Sequence, residues 1–171
     1  MFAFYPLLSG LSLYLPAPEM KRVEKAFLFA ADAHETQFRS SGEPYVTHTV
    51  AAATILAHMH LDADTIIAAL LHDVVEDTDW TLDQLRQAGF AEEVVQAVEC
   101  LTHRDRETYE EFIARVQTNP IATKVKLADL EDNIDMRRLS AVTAQDVQRL
   151  HKYHHAWLAL RQVSHAEGET S

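Results

Sequence analysis

Cysteine is nearly absent from this chain: Cys100 stands alone, which excludes an intrachain disulfide framework and fits a reducing, cytoplasmic compartment. No adjacent residue offers clear thiolate activation, so Cys100 reads as a small buried hydrophobe rather than a nucleophile. Glycine and proline are scarce too, at four and five residues in 171. Few tight hairpins can form, and abundant Ala, Leu, Val, Glu and Gln favour helices. Positive charge is also in short supply. A formal net charge of −11 argues against a phosphate-backbone binder, which needs a basic stripe to release counterions from nucleic acid. A small anionic ligand stays compatible where a metal and a few Arg or Lys residues supply local positive charge.

The segment before Met20 lacks any basic residue and is apolar and aromatic, interrupted by Pro6, Pro16 and Pro18. A secretory signal needs a positive n-region ahead of its apolar run, and this run is too short and too broken for a membrane span. Ordinary helical patterning opens at Met20-Lys21-Arg22. Residues 1–19 are therefore set apart as an N-terminal extension, either a packing element or a partner-binding arm. Residues 20–163 form the expected single domain and 164–171 a polar tail that frays. An apolar fraction of 47% is ample for one core, with little room for a second domain.

Periodicity predicts an all-α, single-domain helical bundle. Val23, Ala26, Phe27, Ala30 and Ala31 mark a first core helix over 21–37. The loop Phe38 to Pro44 breaks it with Gly and Pro. Strongly apolar helices follow over 49–60 and 65–75, the second too hydrophobic for a surface element. Thr81 with Gln84 forms an expected capping box, and Gly89 closes that helix. Further helices are expected over 91–101, over 108–116, from Pro120 through Ile134 towards Leu139, and from Thr143 onward.

Against that background, His48, the pair His72-Asp73, and Asp129 combine two imidazoles with two carboxylates. Such a set suits Mn²⁺, Fe²⁺ or Zn²⁺ better than Ca²⁺. Four protein ligands on an octahedral ion leave two positions open, one for water and one for a phosphoryl oxygen. Glu76 and Asp77 follow His72 and Asp73 by four residues, one helical turn on, where they can orient or deprotonate water. Taken alone, a His-Asp pair on an apolar helix is more often a packed histidine beside a capping acid. His34 reads as a site-lining or core histidine. His58 and His60 read as a helix end, His151, His154 and His155 as a wet helix face, and His103 with Arg104 and Arg106 as a solvated turn, with a substrate-phosphate patch as the second reading.

Several ordered strings resemble the HD superfamily, most closely the hydrolase domains of RelA/SpoT-type proteins and stand-alone small alarmone hydrolases. They are Ala33-His34 with Gln37, Arg39 and Ser41-Gly42-Glu43-Pro44-Tyr45 through His48; His72 through Thr78; and Lys126-Leu127-Ala128-Asp129 with Asn133. The resemblance implies one Mn²⁺ held by His48, His72, Asp73 and Asp129, with water activation by Glu76 and Asp77. It also implies removal of the 3′-pyrophosphate from ppGpp or pppGpp. By the same carry-over Arg39 and Ser41 line the nucleotide pocket, Tyr45 shapes its wall, and Asn133 contacts ribose or phosphate.

The chain departs from the family pattern at Thr36, at Ser40 and in the string Ala128-Asp129-Leu130-Glu131-Asp132-Asn133, where an Ala-Asp-Arg-Leu-His-Asn-like order is usual. Lost positive charge at 40 and 130 and added acid at 131 and 132 are expected to weaken attraction for a highly anionic nucleotide. Two alternatives follow: an HD phosphohydrolase for another nucleotide, such as pppApp or a 2′/3′-phosphorylated cofactor, and a metal-binding nucleotide sensor with little turnover. The expected partner is a small nucleotide, with no nucleic acid and no membrane.

Overall fold

The apolar stretch that follows Asp62 organises the architecture. In a computed structural model, which describes residues 4–39, 42–138 and 141–168, ten α-helices occur in chain order. They are α1 (Phe4–Leu11), α2 (Ala17–Ala33), α3 (Val46–His58), α4 (Ala63–Leu71), α5 (Val74–Asp77), α6 (Leu82–Gln87), α7 (Glu92–Leu101), α8 (Tyr109–Val116), α9 (Pro120–Ile134) and α10 (Ala144–Gly168). Among the described residues there is no strand, only an isolated bridge between Phe38 and Pro44. No helix of the described residues is long and apolar enough to cross a membrane.

Asp62 starts α4 by accepting the Thr65 backbone N–H at 2.9 Å, the expected role of an N-cap carboxylate. Beyond the cap, Ile66, Ile67, Leu70 and Leu71 are all buried, each contributing roughly 1.5–3 kcal/mol of apolar transfer energy. A helix buried on all sides must be wrapped, and α2, α3, α7 and α9 pack around it. Its last turn therefore delivers His72 into the middle of the bundle.

Several expected boundaries shift: the first core helix, read over 21–37, runs Ala17–Ala33, and the next, read over 49–60, runs Val46–His58. The helix read over 65–75 is interrupted at His72-Asp73 and resumes as α5. The Asp77 N–H still reaches the Asp73 carbonyl at 2.8 Å, so the four-residue spacing of Glu76 and Asp77 survives the break. The helix from Pro120 stops at Ile134, followed by a short 3-10 turn at Met136–Arg138; Leu139 lies outside the described residues. The capping box of Thr81 with Gln84 is present, and Gly89, at φ +79°, supplies the left-handed turn that ends α6. A second box joins Thr108 and Glu111 at the start of α8.

Residues of the N-terminal extension are built into the core. Leu7 and Leu11 are buried, Phe4 stacks on Phe27 of α2 at 3.6 Å between ring centroids, and Tyr14 donates to the Leu61 carbonyl at 3.0 Å. At the other end α10 continues to Gly168, where the sequence reading expected a fraying tail from Ser164.

Arg115 ties the loop between α7 and α8. Its guanidinium donates to the carbonyls of Glu99, Cys100 and Thr102 at 2.8–3.0 Å and makes a two-pronged pair with Glu107 at 2.6 and 2.7 Å. The three carbonyls belong to the end of α7, which leaves acceptors unpaired within the helix. Arg115→Ala should cost about 2–3 kcal/mol, since it strands a largely covered carboxylate and these carbonyls; a urea melt checks this. The Arg115 hydrogen bond holds the Glu107 carboxyl down at about 2, below an unfolded value near 4.3. A depressed acid stabilises the fold above its unfolded pKa and loses that contribution as pH falls towards the folded one. The gap in melting temperature between wild type and variant should accordingly shrink below about pH 4.

Candidate metal centre and its pocket

Helix α3, the junction of α4 with α5, and α9 each place one part of the centre. His48 lies in the first turn of α3, on the buried face it shares with Thr49, Ala52 and Ala53. His72 ends α4 and Asp73 begins α5. Asp129 sits on α9 among buried Val125, Ala128 and Leu130. An acid in such surroundings must be compensated, and Asp129 is: Lys126 Nζ lies 2.7 Å from its Oδ2, while Asn133 donates to Oδ1 at 2.6 Å.

One donor atom from each of His48, His72 and Asp73 falls within 4.8 Å of the others. Asp129 Oδ1 adds a fourth, 2.9 Å from His48 Nε2 and 3.7 Å from His72 Nε2. His72 Nε2 is also 3.1 Å from Asp73 Oδ1, yet this buried nitrogen makes no hydrogen bond. A buried imidazole nitrogen crowded by carboxylate oxygens without hydrogen-bonding geometry fits a divalent cation between them. The other nitrogen of His72, Nδ1, is engaged with the Ala69 carbonyl at 2.8 Å, so the proton belongs there and the lone pair faces the cluster.

Charge tells the same story. Burial pushes the Asp73 carboxyl up, but the His72 imidazole outweighs it and brings the group down to about 2. Burial likewise opposes Asp129, and Lys126 with the two histidines drives it well below the usual carboxylate range. For His72, burial disfavours the imidazolium, yet Asp73 and Asp129 raise its pKa well above the ordinary value. A field strong enough to protonate a buried imidazole is equally suited to a cation that displaces that proton.

The cluster opens into a cavity of about 470 Å³, within the usual range for small-ligand sites. Glu76 and Asp77 line it beside the metal cluster. Glu76 Oε2 accepts the His103 backbone N–H at 2.9 Å, which fixes the carboxylate at the pocket wall. Gln37 donates to the Asp77 carbonyl at 2.5 Å and accepts from His34 Nδ1 at 2.7 Å, so buried His34 braces α5 through Gln37 instead of reaching the cluster. Tyr45 donates to Asp73 Oδ2 at 2.8 Å, which makes it an orienting partner of a candidate ligand as well as a wall. Arg39 lines the pocket with its Nη2 at 3.2 Å from Asp132 Oδ2. Asn133 lines it too, bonded to Asp129. Ser41 lies outside the described residues.

Some pocket residues escaped the sequence reading. His103, expected in a solvated turn, lines the cavity with its ring stacked on Phe112 at 3.9 Å. Lys152 and Tyr153 of α10 line it as well, with Lys152 Nζ 3.8 Å above the Tyr109 ring. Lys126, read only as part of the Asp129 string, supplies a third cation to the wall. The acid at 132, expected to repel an anionic ligand, is bonded to His48 and Arg39.

The chain is similar to several known proteins. The family model described as the HD domain matches residues 26–157. The bifunctional (p)ppGpp synthase/hydrolase SpoT of Escherichia coli (strain K12) is 39% identical over 161 residues, which cover 88% of this chain and 22% of that protein. The guanosine-3′,5′-bis(diphosphate) 3′-pyrophosphohydrolase of Haemophilus influenzae is 42% identical over 135 residues, 73% of this chain and 20% of the relative. The chain thus spans about a fifth of the length of these relatives. A solved structure described as a metazoan ortholog of SpoT that hydrolyses ppGpp and plays a role in starvation responses superposes with a TM-score of 0.65. It has 25% sequence identity and covers 91% of this chain and 98% of that one.

A cation site of this kind should be visible without any substrate. Mn²⁺ at about 100 times its dissociation constant should raise stability by about 2.7 kcal/mol, read as an upward shift of the thermal midpoint. His72→Ala should lose that shift; a wild type whose midpoint ignores Mn²⁺ and other divalent transition metals would remove the metal reading.

Proposed function

The chain belongs to the HD-domain family, and from that premise we propose that it is a small alarmone hydrolase that removes the 3′-pyrophosphate from ppGpp and pppGpp. The observation that carries the reading is the junction of two features in one cavity: the His48, His72, Asp73 and Asp129 cluster, and Glu76 with Asp77 on its wall. The relatives named for 3′-pyrophosphohydrolysis of the guanosine bis(diphosphate) support the substrate class. The hydrolase unit in this reading is residues 20–163, with α1 packed into the same core and α2 beginning ahead of it at Ala17. The setting proposed for it is cytoplasmic.

The cofactor proposed is a single Mn²⁺ held by His48, His72, Asp73 and Asp129; when bound it lowers the pKa of a water and neutralises phosphoryl charge. Arg39 and Lys152 bring positive charge to the pocket, and Tyr45 and Tyr153 provide flat walls. Glu76 takes the proton of the attacking water, its carboxylate kept in place by the His103 N–H. A water-oxygen-to-phosphorus bond forms, the bond from that phosphorus to the ribose O3′ breaks, pyrophosphate departs, and a proton ends on O3′. Asp77, held through Gln37 at its backbone carbonyl, accompanies Glu76 at the wall. Asn133 keeps Asp129 oriented and offers the substrate the remaining face of its amide.

Pyrophosphate release from ppGpp with Mn²⁺ present tests the reading, with pppApp and a 3′-phosphorylated dinucleotide in parallel. Asp73→Asn should lose metal and turnover together. Glu76→Gln should keep the metal while the rate falls by roughly 10² or more. Near-normal turnover in Glu76→Gln would discard the assigned base, and inert ppGpp beside rapid turnover of another nucleotide would move the substrate while keeping the chemistry.

A further inference from the structure

Asp132 sits behind His48, at the ring nitrogen opposite the one that faces the metal cluster, and it departs from the histidine usual at that place in the string that follows Asp129. It lies three residues beyond Asp129 on α9, so both carboxylates leave the helix on nearly the same face. One of its oxygens, Oδ2, is 2.7 Å from His48 Nδ1 and 3.2 Å from Arg39 Nη2. These contacts connect α9 with the first turn of α3 and with the loop that carries Arg39. The Asp132 side chain is only 12% exposed and that of Arg39 16%, so the pair is poorly screened compared with a surface salt bridge.

We propose that Asp132 is a positioning residue that couples the pocket arginine to the metal-binding histidine, an inference that rests on the proposed metal and nucleotide roles of this site. Two consequences follow from the shared oxygen. A carboxylate facing Nδ1 keeps a proton on that nitrogen, so the Nε2 lone pair of His48 is directed to the ion. The same carboxylate holds one edge of the Arg39 guanidinium and leaves its other N–H groups for an anionic ligand. A neutral histidine at 132 has one acceptor nitrogen and could not take both donors. The acid is therefore a different wiring of the site, in which Glu131 remains exposed on α9 while Asp132 faces inward.

The test uses the full chain and reads Mn²⁺ affinity by calorimetry without nucleotide, alongside KM and kcat for ppGpp. Asp132→Ala removes both contacts and should weaken Mn²⁺ binding roughly 10–100-fold. Asp132→Asn keeps an oxygen for His48 but loses the charge opposite Arg39. Its Mn²⁺ affinity should stay within about 3-fold of wild type, while its KM rises with little change in kcat. Combined with Arg39→Ala, the Asn substitution should raise KM no further than Arg39→Ala alone, the non-additivity expected of a contacting pair. Mn²⁺ affinities equal in wild type, Asn and Ala variants would overturn the proposal, as would fully additive KM effects. A wild type inert towards ppGpp but showing the ranked Mn²⁺ affinities would remove the substrate reading and leave the histidine half standing.

Discussion

Everything in this molecule depends on keeping Asp129 ionised inside an apolar bundle. The desolvation of a carboxylate there is far larger than any single contact can offset, and the structure answers with several at once: Lys126, Asn133 and the imidazole of His48. Each requires its own helix geometry. Lys126 and Asn133 need an unbroken α9, and His48 needs the first turn of α3 to lie against it. The buried α4 sets the distance between them, because α3 and α9 both pack on it as well as on each other. Fold and site are therefore one constraint: a core helix that stops at His72, and flanking helices that bring charge to its end.

Much of this was legible in the sequence because the signals were local. The apolar character of α4, the Thr81 cap and Pro120 at the first turn of α9 are short-range rules that tertiary packing reinforced. The candidate ligands were legible for a different reason. Buried histidines and acids in apolar helices are costly, and several together demand a common explanation. The interruption at His72-Asp73 was hidden, since apolar residues flank the pair on both sides and Leu70 to Val75 holds no Gly or Pro to break a helix.

The far wall of the pocket was not legible, for physical reasons. In α10 the polar residues His151, Lys152, His154 and His155 fall around the helix, and among its residues up to 162 only Ala156 and Leu160 are buried. With so weak a stripe, the face turned inward is set by how α10 crosses α8 and α9, a long-range quantity without a sequence period. Lys152 and Tyr153 enter the site by that crossing. The acid at 132 misled for the opposite reason: formal charge was counted without the donors that meet it in three dimensions.

Those donors also explain how an acidic chain can hold a polyanion. Among the described residues that line the cavity, Arg39, Lys126 and Lys152 face Asp73, Glu76, Asp77 and Asp129. With neutral histidines these groups leave the pocket negative, the more so because Arg39 is already paired with Asp132 and Lys126 with Asp129. A divalent ion at the cluster would offset that charge, and in a recess of low dielectric the change acts at short range where the chain's overall charge of −11 is screened. In the proposed reading, binding of an anionic nucleotide would therefore depend on the ion, and a chain of opposite net charge would have no need of that dependence.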